Sequence, residues 1–200
     1  MWYAFFLAWV GRFDEAIAAD LRARELDPLS PRIMGHLGLM YHLARQYDRA
    51  IQLYQETVAR YPNFARTHWD LGRAYFDQGQ YPRAIAEFEE ALRLGGQGAG
   101  GSATSIAELA QALARAGRRG EALKILQDLE SERKRGYGSA FNIARIYVAL
   151  DDKDQAFRWL ERAYEERDAE MILLKVLPTF DPIRDDPRFP DLLRRIRFPT

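Results

Sequence analysis

Apolar side chains recur every three or four residues along most of the chain, and this spacing predicts amphipathic helices. Phe13, Ile17 and Leu21, for example, fall on one face of a predicted helix. Pro28 follows that helix and ends it, because proline cannot continue a helical hydrogen-bond pattern. Since every periodic segment has the helical period, the chain is expected to be all-α. In the first half, the predicted helices cover residues 2–10, 13–26, 31–43, 47–61, 64–77 and 81–94.

The helical spacing continues in the second half, where the individual signature residues are weaker. The predicted helices there contain the apolar sets Ile106-Leu109-Ala110-Leu113, Ala122-Leu123-Leu126-Leu129, Ile143-Ala144-Tyr147 and Phe157-Leu160-Ala163. After Asp168 the pattern stops, and Met171 to Leu177 is an apolar stretch interrupted only by Lys175. Two Asp-Pro turn signals and a short amphipathic helix with Leu192, Leu193 and Ile196 complete the sequence. Residues 169–200 are therefore predicted to cap the structure.

One pattern occurs twice at an interval of 34 residues between Arg32 and Gly96. The paired positions are Leu37 and Leu71, Gly38 and Gly72, Tyr41 and Tyr75, Tyr47 and Tyr81, and Ala50 and Ala84. The same alanine position recurs along the whole chain as Ala16, Ala50, Ala84, Ala122 and Ala156. The spacing is 34 residues throughout, except that four extra residues lie between Ala84 and Ala122. Two helices are expected to approach most closely at this alanine, because a larger side chain would overpack the contact.

A turn position also recurs with this period, between the two helices of each pair. It is occupied by Gly11, Arg45, Gly79, Gly117 and Asp151. Such a turn favours a residue that tolerates positive φ, as glycine does and aspartate does to a lesser degree. Arg45 is the one residue that does not suit this position.

A period of 34 residues with Leu-Gly, Tyr, Ala, a further aromatic residue and Pro resembles the tetratricopeptide repeat, a unit of two antiparallel helices. The resemblance implies an α–α superhelix, or solenoid, of about five helical hairpins with a C-terminal helical cap. The expected repeats cover approximately residues 1–30 (partial), 31–64, 65–98, 103–136 and 137–168, with a Gly-rich loop at 95–105. The solenoid is thus expected to span residues 1–168, and the cap residues 169–200.

The last part of the sequence carries a second resemblance. Residues 180–189 read Phe-Asp-Pro-Ile-Arg-Asp-Asp-Pro-Arg-Phe, and residues 159–167 read Trp-Leu-Glu-Arg-Ala-Tyr-Glu-Glu-Arg. Both segments resemble the C-terminal region of bacterial multidomain signalling proteins of this repeat class. In such proteins the repeats follow a winged-helix DNA-binding, nucleotide cyclase or serine/threonine kinase domain. The resemblance implies a C-terminal module of a bacterial signalling or regulatory protein.

The apolar run from Trp2 to Val10 is expected to be the first helix of a repeat whose opening residues are missing. It lacks a preceding basic region and is about half as long as a membrane span, so no targeting segment is predicted. Trp2, Phe5 and Trp9 would form an exposed aromatic edge. Self-association through this edge is an alternative function.

The charge balance and the residue inventory favour a cytoplasmic protein that is not an enzyme. Basic and acidic residues number 29 each, so no net field draws the chain to nucleic acid or a membrane. RNA binding by the arginines is therefore a weaker alternative function, and membrane binding is not expected. The chain has no Cys, which agrees with a reducing compartment. His36 and His42 lie about 120° apart around a helix, which does not suit a metal. The Gly-rich loop lacks the strand and the Lys-Ser/Thr of a phosphate loop. No catalytic residue, cofactor or metal is predicted.

The binding surface is predicted from the resemblance, which implies that the first helix of each repeat lines a concave groove. The predicted groove residues are Arg32, His36, Leu39, His42, Arg66, Trp69, Asp70, Arg73, Phe76, Gln111, Arg115, Phe141, Asn142 and Arg145, with Glu108 and the N-terminal Trp2, Phe5 and Trp9 beside them. Trp69 and Phe76 could instead pack against the neighbouring repeat. Arg66 and Arg73 share one helical stripe with Trp69 between them, which suits an acidic, partly apolar peptide or protein segment.

Overall fold

The computed structural model describes residues 2–9, 11–95, 103–135, 138–175 and 177–196. All regular elements in these residues are helical, as the sequence predicts. The α-helices are α1 (Trp2–Trp9), α2 (Phe13–Leu26), α3 (Pro31–Leu43), α4 (Tyr47–Arg60), α5 (Ala65–Asp77), α6 (Tyr81–Gly95), α7 (Ala103–Arg115), α8 (Arg119–Lys134), α9 (Ala140–Ala149), α10 (Lys153–Glu165) and α11 (Arg188–Ile196). Two short 3₁₀ helices, Ala169–Leu173 and Pro178–Ile183, lie between α10 and α11.

The chain divides into two compact units, Met1–Gly101 and Ser102–Thr200. The first unit contains the hairpins α1–α2, α3–α4 and α5–α6, and the second contains α7–α8, α9–α10 and the C-terminal elements. Most of the predicted Gly-rich loop, residues 96–102, lies outside the described residues. The repeat limits and the solenoid boundary at residue 168 stay predictions.

The recurring alanine holds the two helices of each hairpin close together. Ala16, Ala50, Ala84, Ala122 and Ala156 are each completely buried, as a position of close helix–helix approach requires. Gly38 and Gly72, which follow the recurring leucines, also allow the two helices of a hairpin to lie close together. An ideal Cβ built on Gly38 would lie 2.4 Å from Cε1 of Tyr54, and one on Gly72 would lie 2.7 Å from Cδ1 of Phe88. The aromatic ring of the second helix therefore occupies the space that a side chain would need.

All five predicted turn residues adopt positive φ. Gly11, Gly79 and Gly117 have φ of 82°, 79° and 80°, and Asp151 has φ of 61°. Arg45, the residue that does not suit the position, adopts φ of 58° as well. The backbone geometry of the hairpin thus overrides the side-chain preference, at a cost of about 1–2 kcal/mol.

Two helix N-termini of the first unit have no side-chain cap. Phe64 is the N-cap residue of α5, and no side chain caps the helix. Ser30 is the N-cap residue of α3, yet its side chain makes no capping hydrogen bond. Ser139, at the N-terminus of α9, does accept a hydrogen bond from the Asn142 N–H.

The C-terminal elements cover the last hairpin, as the predicted cap requires. Phe157 and Leu160 of α10 belong to one buried cluster with Phe180, Phe189 and Leu192. The 3₁₀ segment Pro178–Ile183 also contacts α9, the first helix of this hairpin. The cap therefore reaches a face that the sequence assigned to the groove.

Candidate peptide-binding surface

In the first unit, the first helices of successive hairpins lie next to one another. α3 contacts α1 on one side and α5 on the other. Since residues three and four positions apart share a helical face, the predicted groove residues of α3 and α5 form two adjacent stripes. The stripes carry the exposed or partly exposed side chains Arg32, His36, Leu39, Arg66, Trp69, Arg73 and Phe76. We call this set the α3–α5 face.

Trp69 is the centre of the α5 stripe, and two arginines stack on its ring. The guanidinium carbons of Arg66 and Arg73 lie 4.8 Å and 5.0 Å from the ring centroid. These are cation–π distances, so the two charges are held within the same small area. Arg66 Nε also donates to Asp70 Oδ2 at 2.8 Å, and the Arg66 side chain is 50% exposed. The indole and Asp70 thus fix the Arg66 guanidinium while half of the side chain remains open to a partner.

Asp70 lies beneath the arginines as a buried carboxylate. Its side chain is only 5% exposed, and one carboxylate oxygen, Oδ1, has no hydrogen-bond partner. Burial raises the pKa of Asp70, and the neighbouring Arg66 and Arg73 oppose that shift without cancelling it. Asp70 therefore orients Arg66 from below and is itself inaccessible to a ligand.

Each histidine pairs with a carboxylate on another helix. His36 on α3 bonds to Asp20 on α2, and His42 Nε2 lies 2.6 Å from Asp77 Oδ2 on α5. His68 Nδ1 lies 2.7 Å from Glu87 Oε2 on α6, while its Nε2 donates to the Pro62 carbonyl oxygen at 2.9 Å. His42 was predicted to line the groove, but it is only 7% exposed and instead links α3 to α5 through Asp77.

These histidine contacts leave no metal site in the parts of the chain that the structure describes. There, no three His, Asp or Glu side chains come together as a group that could hold a metal ion.

The apolar members of the α3–α5 face are held by neighbouring side chains. Phe76 packs edge-on against Tyr81 with ring centroids 5.6 Å apart, and Leu39 packs against the core of the first unit. Phe5 of α1 lies 6.0 Å from the His36 ring, which continues the aromatic surface toward the N-terminus. The Trp9 side chain lies outside the described residues.

In the second unit, most predicted groove residues are buried. Glu108, Gln111, Phe141, Asn142 and Arg145 are at most 6% exposed, and Arg115 is partly buried. Arg145 donates to Glu108 Oε1 at 2.9 Å and to Asn142 Oδ1 at 3.1 Å. This interior ion pair joins α7 to α9.

The chain's own C-terminal segment contacts two of these residues, Gln111 and Phe141. Thr179 donates to Gln111 Oε1 at 3.3 Å, and the Phe180 ring packs on Phe141 with centroids 5.2 Å apart. Ser139 donates to Glu170 Oε2 at 3.0 Å. Sequence reasoning missed this cover because the apolar stretch from Met171 onwards indicates only that something packs there.

Two sequence profiles described as tetratricopeptide repeat match the chain. One matches residues 10–63 and 44–99, and the other matches residues 137–169. No curated protein sequence matches the chain significantly. None of the described helices has the length and apolarity that crossing a membrane would require.

Solved structures of repeat proteins are similar to this chain in fold. A thermophilic TPR protein of Thermus thermophilus has a TM-score of 0.68 at 18% identity, with 96% of each chain covered. A putative kinesin light chain of Podosopora anserina with nearly identical TPR-like repeats has a TM-score of 0.64 at 19% identity, covering 84% of this chain and 92% of that one. MamA of Desulfovibrio magneticus has a TM-score of 0.59 at 16% identity, covering 84% and 93%.

Proposed function

The chain belongs to the tetratricopeptide repeat family, and from this premise we propose that it is a non-catalytic scaffold that binds a peptide or protein segment on its α3–α5 face. The observation that carries the proposal is the stack of Arg66 and Arg73 on Trp69. Arginine and tryptophan are the residue types that contribute most often to interface energy. Here they are grouped, oriented and partly exposed.

The partner that suits this face is an acidic, partly apolar segment. Arg66 uses Nε for Asp70, which leaves its terminal amino groups to donate charge-assisted hydrogen bonds to a carboxylate. Both guanidiniums already lie over the indole, so little side-chain entropy is lost when a partner binds. Leu39 and Phe76 are partly exposed on the same face and offer apolar contacts to a partner. A ligand that combines acidic and apolar residues would contact both the arginines and the apolar side chains of this face.

The proposed surface is confined to the first unit. Gln111, Phe141, Asn142 and Arg145 were predicted as groove residues, but each is buried, and the C-terminal segment contacts Gln111 and Phe141 directly. Displacing Phe180 would expose a completely buried aromatic ring. Such a displacement costs on the order of 2–3 kcal/mol for that one side chain. The second unit therefore supports the fold and does not compete for the ligand.

Selection from a library of random peptides displayed on phage tests the proposal. We expect enriched sequences to combine Asp or Glu with an aromatic or aliphatic residue, and we expect the affinity of a synthesised hit to fall with added salt. The test variant replaces Arg66 by Gln, Asp70 by Asn and Arg73 by Gln. The Asp70 change is included because Arg66 removal alone would leave a buried carboxylate without its cation.

The triple variant should bind the selected peptide about 100-fold more weakly. Each charge-assisted hydrogen bond is worth about 1.5 kcal/mol or more, and about 1.4 kcal/mol corresponds to a factor of ten. Arg22→Gln is the matched control, because it also lowers the net charge by one. Arg22 is exposed on α2, the second helix of its hairpin, and does not belong to the α3–α5 face. Asp70→Asn alone should also retain binding. Equal affinities of the triple variant and wild type would place the binding surface elsewhere.

We place this scaffold, within the same proposal, at the C-terminal end of a cytoplasmic bacterial signalling or regulatory protein. The support is the sequence resemblance of residues 159–167 and 180–189 to such proteins. The residues encoded upstream of Met1 test this placement. A winged-helix, cyclase or kinase sequence there would support it, and a stop codon in frame directly upstream would refute it.

A further inference from the structure

Helix α1 presents an aromatic face that the described part of the first unit does not cover. Trp2 is 90% exposed, Tyr3 62%, Phe6 59% and Phe5 38%. The other exposed large apolar side chains are separated along the chain, at Leu26, Leu29, Leu43 and Ile172. Among the described residues, four of these eight exposed side chains therefore fall within five consecutive positions, and we call these four the α1 aromatic face.

The opposite side of α1 is already occupied. Ala4, Leu7 and Ala8 are buried in the core that α1 forms with α2 and α3. The helix is thus apolar on two sides, and its sequence, WYAFFLAW, has no charged residue in any turn. A helix that is apolar all round is normally buried on all sides. The exposed side is therefore expected to contact another apolar surface.

The size of the α1 aromatic face is close to that of half a specific interface. A buried aromatic side chain covers about 150–250 Å². Weighted by the exposed fractions, the four side chains offer on the order of 500 Å². Two such faces in contact would bury on the order of 1,000 Å² from these side chains alone, which reaches the lower limit for a specific interface.

We propose that the α1 aromatic face binds the same face of a second copy of this chain, with the two copies related by a two-fold axis. In such a contact residue i of one copy meets residue j of the other, and j meets i, so a charged side chain on the two-fold axis itself would face a like charge. The α1 aromatic face has no charge and is therefore self-compatible. A charged partner, in contrast, would find no counter-charge on this helix.

The α1 aromatic face meets the α3–α5 face where Phe5 lies against His36. Trp2 and Phe6 are therefore the residues to change in a test of dimerisation, with Phe5 left in place. A variant that no longer dimerises but binds a selected peptide with unchanged affinity would assign dimerisation to α1 alone.

Single-cysteine variants test the proposal directly, because the chain contains no cysteine. Phe6→Cys places a thiol in the centre of the α1 aromatic face, and Leu26→Cys places one at an 89% exposed site of the same unit. A short bis-maleimide should link two copies of the Phe6→Cys variant and should leave the Leu26→Cys variant monomeric. Equal yields of linked product from the two variants would overturn the proposal.

Sedimentation equilibrium gives a second readout without a new thiol. At about 100 µM, well above the micromolar dissociation constants of weak specific interfaces, wild type should approach twice the chain mass of 23.1 kDa. The variant with Trp2→Ser and Phe6→Ser should remain at 23.1 kDa, and Leu26→Ser with Leu29→Ser should behave as wild type. A monomeric wild type, or open-ended association beyond a dimer, would overturn the two-fold contact.

Discussion

Gly38 and Gly35 allow a matched test of how the hairpins pack, because both lie in α3 and only Gly38 faces the second helix. An ideal Cβ on Gly38 would lie 2.4 Å from Cε1 and 2.7 Å from Cζ of Tyr54. Tyr54 is completely buried, so its ring cannot make room for a Cβ by moving into solvent without repacking of its neighbours. An ideal Cβ on Gly35 meets nothing within 4 Å.

The two alanine substitutions should change stability in opposite directions. Overpacking costs about 1–3 kcal/mol, and alanine recovers up to about 1 kcal/mol over glycine within a helix. Gly38→Ala should therefore lower the free energy of unfolding by about 1–2 kcal/mol. Gly35→Ala gains only the helix-propensity contribution and should raise it by about 0.5–1 kcal/mol.

Thermal unfolding followed by circular dichroism measures the difference. At about 2–4 °C per kcal/mol for a chain of this length, the Gly38→Ala melting temperature should fall by about 2–8 °C, while that of Gly35→Ala should rise by a few degrees. If both variants shifted the melting temperature equally, the contact between Gly38 and Tyr54 would not determine how the two helices of the hairpin approach each other.

Three further predictions concern a turn, a buried carboxylate and the C-terminal segment. Arg45→Gly should stabilise the chain by about 1 kcal/mol in urea unfolding, because arginine adopts φ of 58° there; a loss of stability would contradict this. Asp70 keeps its proton to a higher pH in the folded chain than in the unfolded chain, so wild type loses stability as the pH rises from the unfolded pKa to the raised folded pKa. Above the folded pKa, Asp70→Asn should therefore be more stable than wild type. The advantage should vanish below pH ~4, the unfolded value, and a constant difference across pH would contradict the burial effect. Phe180→Ala should cost about 3–5 kcal/mol and increase proteolysis of the second unit, whereas a loss under about 1 kcal/mol would mean that the segment packs loosely.

The helices and turns could be predicted from sequence because their signals are local. Residues three and four positions apart decide each helical face, and the predicted bounds agree with the structure to within one or two residues over most of the first unit. A positive φ at Arg45 could be expected only because the 34-residue period places Arg45 at the same repeat position as Gly11 and Gly79. A single turn considered alone would not have indicated it.

The burial of the second-unit residues could not be predicted, because it depends on partners far away in sequence. Arg145 pairs with Glu108 across 37 residues, and Thr179 reaches Gln111 across 68. Helical periodicity places Arg145 on the first-helix face but does not show what covers that face. The same reason explains His42, whose partner Asp77 lies 35 residues away. The stripe of Arg66, Trp69 and Arg73 was predictable, because all three residues lie on one helix.

Indole N–H resonances in a two-dimensional ¹⁵N–¹H NMR spectrum test the central claim most directly, because the chain has only four tryptophans. Trp69 lies on the α3–α5 face, whereas Trp159 lies on α10 in the second unit. Titration with an acidic peptide selected from the phage library should shift the Trp69 resonance in proportion to occupancy and leave Trp159 unchanged. Movement of Trp159 with a stationary Trp69 would contradict binding at the α3–α5 face.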